Sequence, residues 1–209
     1  MRELAHLFSK IFHPVFSPIW LFLIVSIGVQ AFVLYSLVQM VYIFSIVSFL
    51  AVGMPILVIL FLKWVGLISH LELNNRTERI LPLVVGALFV WGASSFLHRI
   101  NFPITMILLL RLSVVVLALA TLITMFWKIS LHALGWGVVS SVAFMMVGLT
   151  GSGYFFIFPI TLFIAGLVGT SRLYLGAHSP TQIYCGFGLG FIGLFTGAYF
   201  QAFWINFII

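Results

Sequence analysis

Residues 14–62 read PVFSPIWLFLIVSIGVQAFVLYSLVQMVYIFSIVSFLAVGMPILVILFL, without one charged side chain. A helix crossing a bilayer needs about 20 apolar residues. The run is therefore too long for one crossing and divides into two helices, near 14–35 and 38–62. The same texture continues outward: apolar segments fill 83–97, 104–127, 133–149 and 154–170, and a last one runs from about 183 almost to Ile209. In hydrocarbon every backbone amide must be paired within the protein, which leaves helices or a closed barrel. A barrel strand alternates polar and apolar residues, whereas these segments are apolar all round. The expected fold is an all-α, polytopic transmembrane bundle of six to seven spans.

Composition agrees. Of 209 residues 64% are hydrophobic and 6% charged, and the mean hydropathy is +1.31. A soluble domain carries about a quarter charged residues, so this chain lacks the polar surface to cover itself. The length suits one domain, 1–209. The first apolar stretch runs on without a small-residue cleavage site and reads as a retained helix. Cys185 is the single cysteine, which excludes an internal disulfide. The net charge of +6 comes from Lys and Arg scattered between helices. That pattern argues against nucleic acid and for membrane lipids with anionic headgroups, or a phosphorylated lipid substrate.

The polar segments carry what chemistry there is. Residues 1–13 (MRELAHLFSKIFH) form an amphipathic lead. SHLELNNRTERILP (69–82), WKISLH (127–132) and SRLYLGAHSPTQ (171–182) separate the later helices, with HRINFP (98–103) between the first two. Ser179-Pro180-Thr181-Gln182 fits a capping box with proline at the first helical position, and Asn75-Arg76-Thr77-Glu78 fits it more weakly, with Glu78 as a cap. Gly186/Gly190 and Gly193/Gly197 make a small-residue face suited to close helix packing. Arg111 lies about 14 Å into its segment at 1.5 Å per residue and must pair or snorkel. Two apolar segments separate each polar stretch from the next. If each segment spans, Arg76, Arg79, Lys128, His132, Arg172 and His178 share one membrane face, opposite His98 and Arg99. An intramembrane cluster of ionisable residues is a functional-site hypothesis by default.

Arginine offers planar, bidentate donors to phosphate oxygens, and histidine serves as nucleophile or as general acid and base. Arginines with two histidines suit phosphoryl transfer from a phosphomonoester: one histidine attacks phosphorus and the other protonates the leaving alcohol. The chain has no aspartate, three glutamates and no H-E-x-x-H pair, so no metal and no cofactor is expected.

Ser171-Arg172-x5-His178 resembles the third signature of the type-2 phosphatidic acid phosphatase superfamily, SRxxxxxHxxxD. Ser130-Leu131-His132 is similar to the end of the second, PSGH, and ERILP (78–82) to the end of the first, KxxxxxxRP. WKISLHA with SRLYLGAHSPTQIYCGFGLG also looks like a membrane-embedded bacterial branch, and the likeness covers about residues 63–205. The resemblance implies a hydrolase acting on a lipid phosphate in a bacterial inner membrane. It makes His178 the nucleophile and His132 the general acid, with Arg79 and Arg172 binding phosphate beside Ser130. Where the family has lysine stands Glu72; Pro82 falls two residues late; PSGH has become ISLH; and the nucleophile's aspartate is replaced by Gln182, which can still accept a hydrogen bond from the imidazole. Lys128 or Arg76 is expected to stand in for the missing lysine.

Two other functions compete with this one. A weak or inactive relative would serve as a phospholipid-binding or structural subunit. Haem held by His132 and His178 would give a Soret band. The excess of Lys and Arg points the motif face to the cytoplasm by the positive-inside rule, whereas many members of the resembled family act on the outer face. No residue chooses among phosphatidate, a polyprenyl (di)phosphate and a phosphorylated lipid A.

Overall fold

The computed structural model describes residues 1–28, 30–69, 75–150 and 155–208. The amphipathic lead is helix α1 (Arg2–Ile11), followed by a 3₁₀ turn at Pro14–Phe16. Then come α2 (Ser17–Gly28), the short α3 (Ala31–Leu34), α4 (Leu37–Ser48) and α5 (Met54–Trp64). The remainder is α6 (Ile80–Arg99), α7 (Ile104–Phe126), α8 (Leu131–Thr150), α9 (Ile157–Tyr174) and α10 (Pro180–Ile208). Among the described residues there is no strand, and six helical stretches are long and apolar enough to cross a membrane. The chain is an integral membrane helical bundle.

Three boundaries differ from the sequence reading for local reasons. The first long helix breaks after Gly28, and Gln30 adopts a left-handed backbone (φ 52°), which stops an α-helix of L-residues. The second is interrupted by a π-helical stretch, Phe49–Gly53, that leads into α5. Pro55 explains it: proline has no N–H to give Ala51, and its ring would clash with that carbonyl, so the ladder widens there. Segment 83–97, 15 residues by sequence, starts earlier as a helix, because Pro82 is tolerated in a first turn. At 20 residues α6 is about 30 Å long, enough to span the hydrocarbon core.

Helix α8 is the axis. Of Leu131–Gly148, 67% lies inside the bundle, against 22–33% in the apolar stretches of the other five candidate spans. Its partner α10 comes close enough for backbone contact. A Cβ on Gly190 would collide with the Leu134 carbonyl, one on Gly186 with that of Ser130, and one on Gly137 with that of Phe187. The small-residue face thus does what such faces do in membranes, where association relies on close packing. Phe22, Leu97, Met106, Leu110 and Val139 fill the core.

Helix α1 lies against α9, burying Ala5 and Ser9 one turn apart. It leaves Leu4, Leu7 and Ile11 exposed, as an interfacial helix does toward lipid. At the far end Tyr35 donates to the Asn101 carbonyl (3.3 Å), joining the two loops there. Mid-span, the Arg111 guanidinium lies 5.5 Å from the Trp91 ring centroid in a cation–π contact, while its buried Nε has no hydrogen-bond partner among the described residues.

Candidate active site

The three polar stretches meet at one end of the bundle. The Ser130 amide donates to the Gln182 backbone carbonyl (3.2 Å), tying the start of α8 to the start of α10. Arg79, just before α6 and 4% exposed, donates from Nη1 to the Ile129 carbonyl (3.1 Å). Arg172 occupies the last turn of α9. Helices α6, α8 and α10 therefore begin at this end, and their positive dipole ends add to the cations gathered there.

His178, 7% exposed, sits two residues before α10. Its Nδ1 lies 2.9 Å from Gln182 Oε1. That same Oε1 accepts the Ser179 amide (3.2 Å), and the Gln182 amide reaches Ser179 Oγ (3.4 Å). The capping box and the histidine contact, alternatives by sequence, are made together by one oxygen. Because a backbone N–H can only donate, the amide is oriented with its oxygen toward His178. His178 then carries its proton on Nδ1 and presents the Nε2 lone pair. Burial, first, lowers the His178 pKa to about 4; the Gln182 hydrogen bond opposes this, and the charges of Arg79, Arg172 and Lys128 add to the lowering. The imidazole is therefore neutral at pH 7.

Lys128 is half-buried in the link from α7 to α8. Its pKa is lowered by burial first and then by Arg79 and Arg172. Close cations that weaken one another in this way form a site where an anion is stabilised. Of the two stand-ins for a lysine, Lys128 is thus the one whose charge reaches His178. Arg76 does other work: its Nη1 donates to the Phe126 carbonyl and caps the end of α7. Glu78 accepts from the Ser69 amide (3.0 Å) and hydroxyl and from Asn75 Nδ2 (2.8 Å), so it ties Ser69 and Asn75 to the turn before α6. The weaker capping template is not formed as read: Asn75 bonds Glu78 directly, and Arg76 precedes the 3₁₀ turn Thr77–Arg79. Glu72 lies outside the described residues. Ser130 has its amide on Gln182, while its Oγ accepts the Ala133 amide (3.4 Å) as the cap of α8.

His132, on the first turn of α8, is buried beside two residues that the sequence reading assigned no role. Ser9 is the first. Its Oγ accepts from Arg172 Nη1 (2.9 Å) and lies 3.3 Å from His132 Nε2, which is also 3.1 Å from the Ser9 carbonyl. His13 is the second; its ring meets that of His132 edge-on, centroids 4.9 Å apart, and its Nδ1 accepts the Val15 amide. Neither residue is near a motif in the sequence. The only hint was the amphipathic lead itself, whose inner face carries the small pair Ala5 and Ser9.

No protein-family model, curated protein or solved structure matches the chain. The fold and site together define a class, a helical membrane protein with a histidine–arginine cluster at one end of its bundle.

Proposed function

We propose that the protein is a metal-independent phosphatase of lipid phosphates, acting through a phosphohistidine on His178. The observation that carries the reading is the oriented, neutral imidazole of His178, held by Gln182 (2.9 Å) and acted on by the charges of Arg79, Arg172 and Lys128. In this mechanism the cations bind the phosphate oxygens, and His178 Nε2 attacks phosphorus. The bond to the lipid oxygen breaks, and that oxygen takes its proton from His132, whose Nε2 leaves Ser9; His132 becomes imidazolium by taking the phosphomonoester's own proton on binding and returns to neutral in this step. Water then attacks the phosphohistidine, giving its proton back to His132 and releasing phosphate and free His178. The arginines stabilise the charge on the equatorial oxygens in both steps.

A second reading, a lipid-phosphate-binding protein with little turnover, is favoured by two contacts. The Ser130 amide is committed to Gln182, and Ser9 holds both Arg172 and His132. One experiment separates the two: phosphate release from a panel of lipid phosphates in detergent with EDTA, wild type against His178→Ala. Release that the substitution abolishes supports the enzyme. Binding without release, by folded protein, supports the second reading.

A further inference from the structure

We infer that the groove between α2, α5, α6 and α8 binds the hydrocarbon tail of a single-chain lipid phosphate whose phosphate lies at the cationic cluster. This rests on the phosphate-binding part of the reading above and names the substrate class. The groove is lined at one end by Arg79 and His13 and further in by Pro82, Gly86, Val90 and Leu117. Arg79 also acts on His178, and the His13 ring contacts His132, so the mouth of the groove is the edge of the cluster. A second, smaller apolar space shares Val90, Leu117 and Leu134 with it and continues toward Leu110 and Val138. A larger groove, bounded by α8, α9 and α10, has no charged residue in its lining to neutralise a phosphate.

Direction and width narrow the ligand. Arg79 stands at the bundle end and Val90 near mid-span, so a molecule with its phosphate at Arg79 points its tail into the bilayer, as a lipid in one leaflet does. From Pro82 to Val90 the helix rises about 12 Å, the length of roughly nine or ten extended methylenes. The free volume is about 140 Å³. An apolar cavity of about 150 Å³ takes one benzene, six carbons, so the groove encloses about that much of one chain, has no room for two side by side, and leaves the remaining methylenes of a longer tail in the bilayer. The π-helical stretch contributes Ala51 to the wall, so the distortion that Pro55 imposes also shapes the groove.

Gly86 provides the test. Gly86 lines the groove, and a Cβ there meets nothing within 4 Å, so a side chain can be built out from it. A Cβ on Gly92 also meets nothing within 4 Å, but Gly92 lies on α6 outside the groove and serves as control. Binding of decyl phosphate and butyl phosphate would be measured by native mass spectrometry of the full chain, in wild type, Gly86→Phe and Gly92→Phe. Wild type and Gly92→Phe are expected to prefer decyl phosphate at least about tenfold, and Gly86→Phe to bring the ratio close to one. An unchanged ratio in folded Gly86→Phe overturns the groove, as does a wild-type ratio near one. Wild-type protein that prefers didecanoyl phosphatidate to decyl phosphate overturns the single-chain assignment. Because binding is read without turnover, the groove and the catalytic reading fail separately. Chain preference without phosphate release sinks catalysis alone, and release indifferent to chain length sinks the groove alone.

Discussion

Lowering the pH should charge His178 late and at a cost. Burial, with Arg79, Arg172 and Lys128 nearby, holds its pKa at about 4, although Gln182 pulls the other way. In the unfolded chain an imidazole titrates near 6.5. The folded protein thus refuses a proton that the unfolded chain accepts, so His178 contributes stability that is fully present above pH 6.5. That contribution is lost as the pH falls from 6.5 toward 4. At about 1.36 kcal/mol per pH unit, the gap between the two values is worth about 3 kcal/mol. Asparagine has no proton to gain, and His178→Asn removes this share of the acid sensitivity.

Two measurements check it. Imidazole-nitrogen NMR of labelled protein in micelles should place the His178 midpoint near 4, with the Nδ1–H tautomer present at neutral pH. Unfolding titrations at pH 7 and pH 4 should show wild type losing about 3 kcal/mol more than His178→Asn over that range. A His178 midpoint near 6.5, or parallel losses in the two proteins, would refute the idea that burial and three cations keep this ring neutral.

Replacing the hydrogen-bond acceptor by a carboxylate, Gln182→Glu, should raise the His178 midpoint by about one to three pH units, since an adjacent negative charge favours imidazolium. Phosphate release by that variant should fall more at pH 5 than at pH 8, a difference that a pH–rate profile would show. Gly190→Leu sets a side chain against the Leu134 carbonyl and should abolish folded protein, whereas Gly188→Leu, with open space around its Cβ, should be tolerated. Size-exclusion profiles in detergent distinguish them, and similar profiles for both would contradict backbone contact between α8 and α10. Arg76→Ala should lower the melting temperature by uncapping α7 while keeping most phosphate release, and Lys128→Gln should do the reverse. Ser9→Ala removes a hydrogen bond to the half-buried Arg172 guanidinium, worth about 1.5 kcal/mol, and should destabilise the docking of α1. Faster amide exchange in residues 2–11 would report it.

The fold was readable because a bilayer leaves few choices. Once residues 14–62 proved too long and too apolar for one crossing, the alternation of apolar and polar stretches set the order of helices. Their parity then brought 69–82, 127–132 and 171–182 to a common end, where Ser130 indeed meets Gln182 and Arg79 meets Ile129. Helix interiors carried less information. Nothing in the apolar texture marks where Gln30 turns left-handed, and the widened turn before Pro55 depends on one missing N–H that other proline-containing helices accommodate by kinking. Within the site, legibility followed sequence distance. Gln182 lies four residues from His178, and both of its roles were visible as alternatives, because a single helical turn decides them. Ser9 lies 123 residues from His132 and 163 from Arg172, and reaches both only because α1 docks on α9 through small residues. Periodicity tells that such a helix has an inner face; which partners that face meets is set by packing of the whole bundle. The same division explains the arginines. Arg76 and Arg79 are three residues apart in one polar stretch and look interchangeable as anion ligands. The start of α6 sends Arg79 into the cationic cluster and leaves Arg76 over the end of α7, so one turn of backbone separates a member of the cluster from a helix cap.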